Sequence, residues 1–235
     1  MRLYIIRHAD PDYENNTITE QGHKEAQALA KRLASHGLDR IYTSPFGRAI
    51  DTMKYTAELL HMDYNIEHWT KELWPELMME KTPWGTIMAI DVPGEIIRAG
   101  DEMPTYNDWY KNPVFNGYRF QEVYEELKRN SDEFLARHGY ERVGGRYRCV
   151  RPNNERIAVF CHGGFGLTWL AHLLEIPLTI MWSGFWLPPS SVTTILFEQR
   201  SPEWAVPRCI GLGDVSHLYA AGLPVLPRGI QANYD

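Results

Sequence analysis

The chain has 235 residues, 44% hydrophobic and 23% charged, enough apolar material for a sizeable core and a composition unlike that of disordered or collagen-like chains. Lys and Arg total 24 against 30 Asp and Glu, so the formal net charge of −6 argues against partners such as nucleic acid or an anionic membrane, and any anion site must be built locally. Cys149, Cys161 and Cys209 lie far apart without a CxxC pair, which excludes a disulfide-stapled miniprotein, argues against structural zinc and suits a reducing, cytoplasmic compartment.

Leu3-Tyr4-Ile5-Ile6 is a continuous apolar run that predicts a strand buried on both faces, as in a parallel sheet covered by helices. It is too short for a signal peptide and meets Arg7-His8 at once; no later run approaches the roughly 20 residues of a membrane span. Thr19 offers an N-cap, Ala26, Leu29, Ala30 and Leu33 recur at helical spacing, and Gly37 ends that pattern. Residues 39–43 read as a second strand, and Ile50, Met53, Ala57 and Leu60 form another helical stripe, giving a βαβα beginning. From about 67 to 117 the rhythm breaks: Trp69, Trp74, Trp84 and Trp109 are scattered among prolines with no long periodic segment, as in an insertion packed over the main body. Its aromatic residues read as core and lid packing. A helix resumes with Phe120, Val123, Tyr124, Leu127 and Phe134, and Val143-Gly144-Gly145-Arg146 predicts a hairpin turn. Residues 157–161 form a second buried strand that runs into His162-Gly163-Gly164 and a Leu-rich helix, and residues 192–197 and 208–212 read as closing strands. The tail, about 219–235, reads as extended, covering the domain or reaching a second subunit of a homodimer.

The informative feature is that two buried-strand patterns each end in a histidine, Ile6-Arg7-His8 and Phe160-Cys161-His162. Open α/β sheets place their ligand crevice at the carboxyl ends of strands, so both rings are expected at one site. Arg7 adjoins the first ring, and Arg48 opens the helix after the second strand in Ser44-Pro45-Phe46-Gly47-Arg48. Two guanidiniums, two imidazoles and the free N–H groups of the helix start at Gly163 would cradle a phosphoryl group. An imidazole nitrogen can attack phosphorus while the arginines neutralise the equatorial oxygens, so no metal or other cofactor is required. A proton for the leaving oxygen would come from Glu76 or Glu72.

These residues resemble the histidine phosphatase superfamily, also called phosphoglycerate mutase-like. Arg7-His8-Ala9 matches its Arg-His-Gly signature with Ala in third place, Thr19-Glu20-Gln21-Gly22 its Thr-Glu-x-Gly helix start, and Ser44-Pro45-Phe46-Gly47-Arg48-Ala49 its Ser-Pro-x-x-Arg-Ala element. Cys161-His162-Gly163-Gly164 and residues 213–218 resemble its later motifs. The resemblance implies a three-layer α/β/α fold in one domain, with a mainly parallel sheet and the aromatic insertion over the active site. It implies a phosphohistidine at His8 and a phosphate pocket of Arg7, Arg48 and His162. Its Leu-x-Glu acid aligns with Leu73-Trp74-Pro75-Glu76 at the expense of one extra residue, and Glu72 competes. The Asn commonly found six residues after the catalytic His is Glu14, with Asn15 next to it, and the family's Gly-Glu-Ser is replaced by Gly117-Tyr118-Arg119. The Glu-Arg-His-Tyr-Gly run of true mutases is absent, so hydrolysis of a small phosphomonoester is expected. The alternatives are a mutase-like phosphotransferase and a catalytically weak phospho-ligand or partner-binding relative.

Other features have plainer readings. His23, His36, His61, His68, His138 and His172 read as solvated or structural, and His217 as a structural hydrogen-bonding group. Arg142, Arg146, Arg148 and Arg151 read as a solvated basic face. Cys161 lacks the Arg of a Cys-x5-Arg loop, since position 167 is Leu, and no glycine-rich nucleotide loop is present.

Overall fold

The computed structural model describes residues 1–230 and 233, so the last stretch of the expected tail, residues 231, 232, 234 and 235, lies outside them. In chain order, β1 is Arg2–Arg7, followed by a small hairpin of β2 (Pro11–Asp12) and β3 (Thr17–Ile18), then α1 (Glu20–His36), β4 (Arg40–Thr43), α2 (Gly47–Leu60) and β5 (Asn65–Ile66). The insertion carries a hairpin of β6 (Met78–Thr82) and β7 (Gly85–Met88) and a single helical turn, α3 (Gly94–Ile97). There follow α4 (Phe120–Arg137), β8 (Tyr140–Val143), β9 (Arg146–Cys149), β10 (Arg156–Cys161), α5 (Gly163–Leu174), α6 (Leu178–Gly184), β11 (Val192–Gln199), β12 (Trp204–Asp214) and α7 (Ser216–Ala220).

The central sheet has eight strands in the order β5-β4-β10-β1-β11-β12-β9-β8. From β5 to β1 the pairings are parallel, and from β1 through β11, β12, β9 and β8 they are antiparallel. The parallel half needs helical crossovers, which α1 provides between β1 and β4 and α2 between β4 and β5, whereas β8-β9 and β11-β12 are joined by short turns.

Residues 3–6 of β1 and 157–161 of β10 are apolar because both faces are covered. Tyr4, Ile6, Ala158 and Phe160 pack against Leu29 and Leu33 of α1 and Met53 and Ala57 of α2. Leu3, Ile5, Ile157 and Val159 turn the other way, into a larger cluster with Phe134 of α4 and Phe165, Trp169 and Leu170 of α5. Buried almost all round, α5 shows no polar face; its Trp169 indole finds a partner in Ser131 Oγ at 2.7 Å.

Much of the insertion joins this core. Trp69 packs on Trp169 with ring centroids 5.1 Å apart, and Trp109 lies against Tyr124 and Trp182, each at 5.8 Å. Trp74 and Trp84 differ from that expectation and stand at the surface. The arginine-rich hairpin β8-β9 forms the sheet edge remote from β10; Arg142 pairs with Glu175 and Arg146 lies over Trp204.

The loop after β1 is tied to α1. Thr19 caps the helix by accepting from Gly22 N–H at 3.0 Å and donates its hydroxyl to Asp10 Oδ2 at 2.7 Å. Glu25, fully buried one turn on, accepts from Asp10 N–H at 3.0 Å. Burial pushes the Glu25 carboxyl up from 4.5 to about 7, Asp10's charge adding to the rise against the backbone hydrogen bond. Because the folded value lies above the unfolded one, this contribution is complete below the unfolded value and is lost as pH rises through about 7. Glu25→Gln should therefore remove about 2 kcal/mol of the fall in unfolding free energy between about pH 5 and pH 8, measured by urea denaturation; an identical pH dependence in both proteins would contradict this ionisation.

Candidate active site

The parallel register of β1 on β10 pairs Arg7 with Cys161, and the next rung, His8 N–H to Cys161 O at 2.9 Å, sets the two strand ends level. His8 and His162 therefore emerge side by side, ring centroids 5.2 Å apart and both buried.

Hydrogen bonds fix which nitrogen does what. His8 Nδ1 lies 2.8 Å from Ala9 O, a carbonyl that can only accept, so the ring proton sits on Nδ1 and the Nε2 lone pair is free. His162 Nε2 lies 2.7 Å from Ser44 Oγ and, among the described residues, is the acceptor available to that buried hydroxyl, so the hydroxyl donates to Nε2 while also accepting from Phe46 N–H. That places the His162 proton on Nδ1, which is buried without a partner. Burial first, with Arg7 and Arg48 reinforcing it, holds His8 well below the usual imidazole range; His162 is lowered likewise by burial, His8 and the same two arginines. Both rings are neutral at neutral pH.

The two guanidiniums are anchored at one end and open at the other. Arg7 donates from Nη1 to Leu187 O at 2.6 Å and Arg228 O at 3.0 Å, leaving Nε buried and unpaired. Arg48 donates from Nη1 to Asn16 Oδ1 at 3.2 Å, stacks over Phe46 and Tyr13 at 4.9 and 5.4 Å, and also leaves Nε unpaired. Three buried donors without acceptors, Arg7 Nε, Arg48 Nε and His162 Nδ1, thus belong to the two guanidiniums whose charge acts on His8 and to the ring beside it.

Of the two carboxylates expected here, the structure brings in Glu72 and not Glu76. Glu72 lines a cavity of about 450 Å³ together with Arg7, His8, Gly163 and Gly164. Its Oε1 accepts from Phe165 N–H at 2.7 Å and Leu73 N–H at 3.1 Å, its Oε2 from Gly164 N–H at 3.1 Å. This corrects the expected cradle: the Gly164 and Phe165 amides of the α5 N-terminus hold Glu72, leaving Gly163, the first helical residue, for a phosphoryl oxygen. Gly164 has to lack a side chain, since a Cβ there would lie 2.9 Å from Glu72 Oε1. Glu76 instead pairs with Lys71 at 2.7 Å at the surface and borders a separate depression, because the turn after Glu72 carries it away from the sheet end.

Four residues that the sequence reading missed also shape the site. Asn16, rather than Glu14 or Asn15, reaches Arg48; it sits at φ 51°, a left-handed conformation that Asn tolerates, and the Asn15-Asn16 pair was the available signal. Tyr13 borders the cavity and a second lobe of about 490 Å³ that reaches Arg48, Phe46 and Trp74. Asp91 enters from the insertion, its carboxyl raised by burial and then by the charge of Glu72, against a hydrogen bond from Met88. Arg228, in the tail, places its guanidinium on buried Asp10 at 2.7 Å, so the described part of the tail turns back over its own domain. His217 stands behind the site: Arg32 Nη1 donates to its Nδ1 at 3.4 Å and its Nε2 donates to Ser190 Oγ at 3.1 Å. Among the described residues no cluster of three or more His, Cys, Asp or Glu could hold a metal ion, and no helix is long and apolar enough to cross a membrane.

The profile of the Histidine phosphatase superfamily (branch 1) matches residues 3–209. The chain belongs to that family. A Hydrogenobacter thermophilus protein named "Putative phosphoserine phosphatase 2" is 24% identical over 143 residues, 57% of this chain and 64% of that protein's length. Among solved structures, a phosphoserine phosphatase mutant of Entamoeba histolytica in complex with phosphoserine has a TM-score of 0.60 at 20% identity, covering 92% of this chain and 98% of that one. A mycobacterial glucosyl-3-phosphoglycerate phosphatase has a TM-score of 0.59 at 18% identity, covering 90% and 98%. At these identities the structural likeness establishes the fold.

Gly47 is where the loop bearing Asn16 touches the start of α2: a Cβ at Gly47 would lie 2.2 Å from Asn16 O. Gly47→Ala should lower unfolding free energy by about 1–3 kcal/mol and displace both Asn16 and Arg48. A melting temperature equal to that of the parent protein would show that the contact is not tight.

Proposed function

We propose that the protein is a phosphomonoesterase that works through a phosphohistidine on His8 Nε2, without a metal ion, on a small phosphorylated substrate. The observation that carries this reading is the pairing of one free imidazole lone pair with three buried, unpartnered donors on Arg7, Arg48 and His162. A phosphoryl group is the chemical species that matches both, an electrophilic centre ringed by acceptor oxygens.

Arg7, Arg48, His162 Nδ1–H and the Gly163 amide hold the non-bridging oxygens, and His8 Nε2 attacks phosphorus in line with the ester oxygen. As the N–P bond forms and the P–O ester bond breaks, the leaving oxygen takes a proton from the Glu72 carboxyl and departs as an alcohol. Water then attacks phosphorus from the same side, Glu72 takes its proton, the N–P bond breaks and inorganic phosphate leaves with His8 restored. The net reaction is ester plus water to alcohol plus phosphate. The positive charge that the transition state requires comes from the two guanidiniums, so catalysis needs no Lewis acid.

Hydrolysis of p-nitrophenyl phosphate in excess EDTA should be abolished by His8→Ala, and a rapid quench with 32P-labelled substrate should trap acid-labile protein phosphate that this variant lacks. Phosphate release undiminished in His8→Ala would refute the assignment. Arg48→Ala should lower kcat/KM by about 100-fold, the loss of roughly 3 kcal/mol of charge-assisted stabilisation. Glu72→Gln should lower kcat by about 100-fold or more for a substrate with a poor leaving group, whereas Glu76→Gln should leave it unchanged; the reverse order would restore Glu76 as the acid.

A further inference from the structure

Beyond the phosphoryl pocket, the cavity is lined chiefly by Tyr13, Met88, Ile90, Trp182, Phe185 and Trp186. Its second lobe adds Phe46 and Trp74. The charged residues lining either lobe are Arg7 and Arg48, already committed to the phosphoryl oxygens, and two acids, Glu72 and Asp91. Of the three cations nearest this region, two are paired elsewhere. Lys71 pairs with Glu76 at the surface, Arg228 with Asp10, and Arg98 is an exposed side chain beside Gly184 that lines neither lobe. The sequence after Arg228 holds no Lys or Arg.

We infer that the preferred substrates are monophosphates of uncharged, apolar or aromatic alcohols, and that phosphorylated carboxylic acids are rejected. This deepens the phosphatase reading and rests on it. A carboxylate attached to the leaving group would enter a space walled by aromatic and aliphatic carbon, lose its water and find no uncommitted cation among the lining residues, with the Asp91 carboxyl close by. An aryl or arylalkyl group loses nothing comparable: it exchanges water for aromatic faces and the methionine side chain, and about 450 Å³ is ample for a ring. The inference separates this chain from what the names of its relatives mention, since phosphoserine and glucosyl-3-phosphoglycerate both carry carboxylates.

The discriminating comparison uses alkyl esters throughout, so that the intrinsic reactivity of the ester stays similar: 2-phenylethyl phosphate against phosphoserine and 3-phosphoglycerate. The expected kcat/KM ratio in favour of 2-phenylethyl phosphate is about 100-fold or more, and a smaller ratio would overturn the inference while leaving the phosphatase reading intact. Calorimetric binding of the same three compounds to the His8→Ala protein reads the same preference without turnover. Tight binding of 2-phenylethyl phosphate there, combined with no hydrolysis by the parent protein, would sink the phosphatase reading and keep the preference. Asp91→Asn should narrow the ratio severalfold by improving the carboxylated substrates, and an unaltered ratio would remove Asp91 as the discriminating charge.

Discussion

The structure depends above all on the register of one parallel strand pair. Because Arg7 of β1 faces Cys161 of β10, the residues that follow, His8 and His162, are brought level at the carboxyl end of the sheet although they are far apart in sequence. A shift by one residue would send each ring to the opposite face, and with it every apolar side chain of a strand buried on both sides. The packing that fixes the register is therefore the same packing that aligns the two imidazoles. Stability and chemistry share one constraint.

What surrounds the pair is an arrangement of donors held by other parts of the chain. Ser44 sets the proton of His162, Ala9 that of His8, and the carbonyls of Leu187 and Arg228 aim Arg7. Few of these partners face solvent, so the directions they impose are maintained at low dielectric, where an oriented dipole acts most strongly. The N-terminus of α5 is shared between two groups, the Glu72 carboxyl held by the Gly164 and Phe165 amides and the phosphoryl group proposed for Gly163.

Strand ends and helix starts were legible in the sequence because they follow from local pattern: apolar runs ending in Arg7-His8 and Cys161-His162, Thr19 as a cap, the glycine pair of the β8-β9 hairpin. Arg48 could be placed because it opens a helix directly after a strand. What failed to show were features decided by a turn or by distant contacts. The turn after Glu72 decides that Glu72 and not Glu76 enters the cavity, and no periodicity encodes that path. Asn16 depends on a left-handed backbone, Asp91 on how the insertion folds back, and the antiparallel half of the sheet on the pairings β1-β11 and β12-β9, whose strands lie far apart in sequence. The short α7, Ser216–Ala220, straddles a stretch read as a late family motif and the first residues of the tail, neither of which was read as a helix.

Arg7 is oriented by carbonyls that lie 180 and 221 positions further along the chain. A polypeptide still emerging from the ribosome can build β1, α1 and α2 early, yet it lacks the groups that aim Arg7 until residues 187 and 228 have been added. The cradle proposed for a phosphoryl group is accordingly directed only once residue 228 is in place, and a shorter nascent form would carry His8 without it.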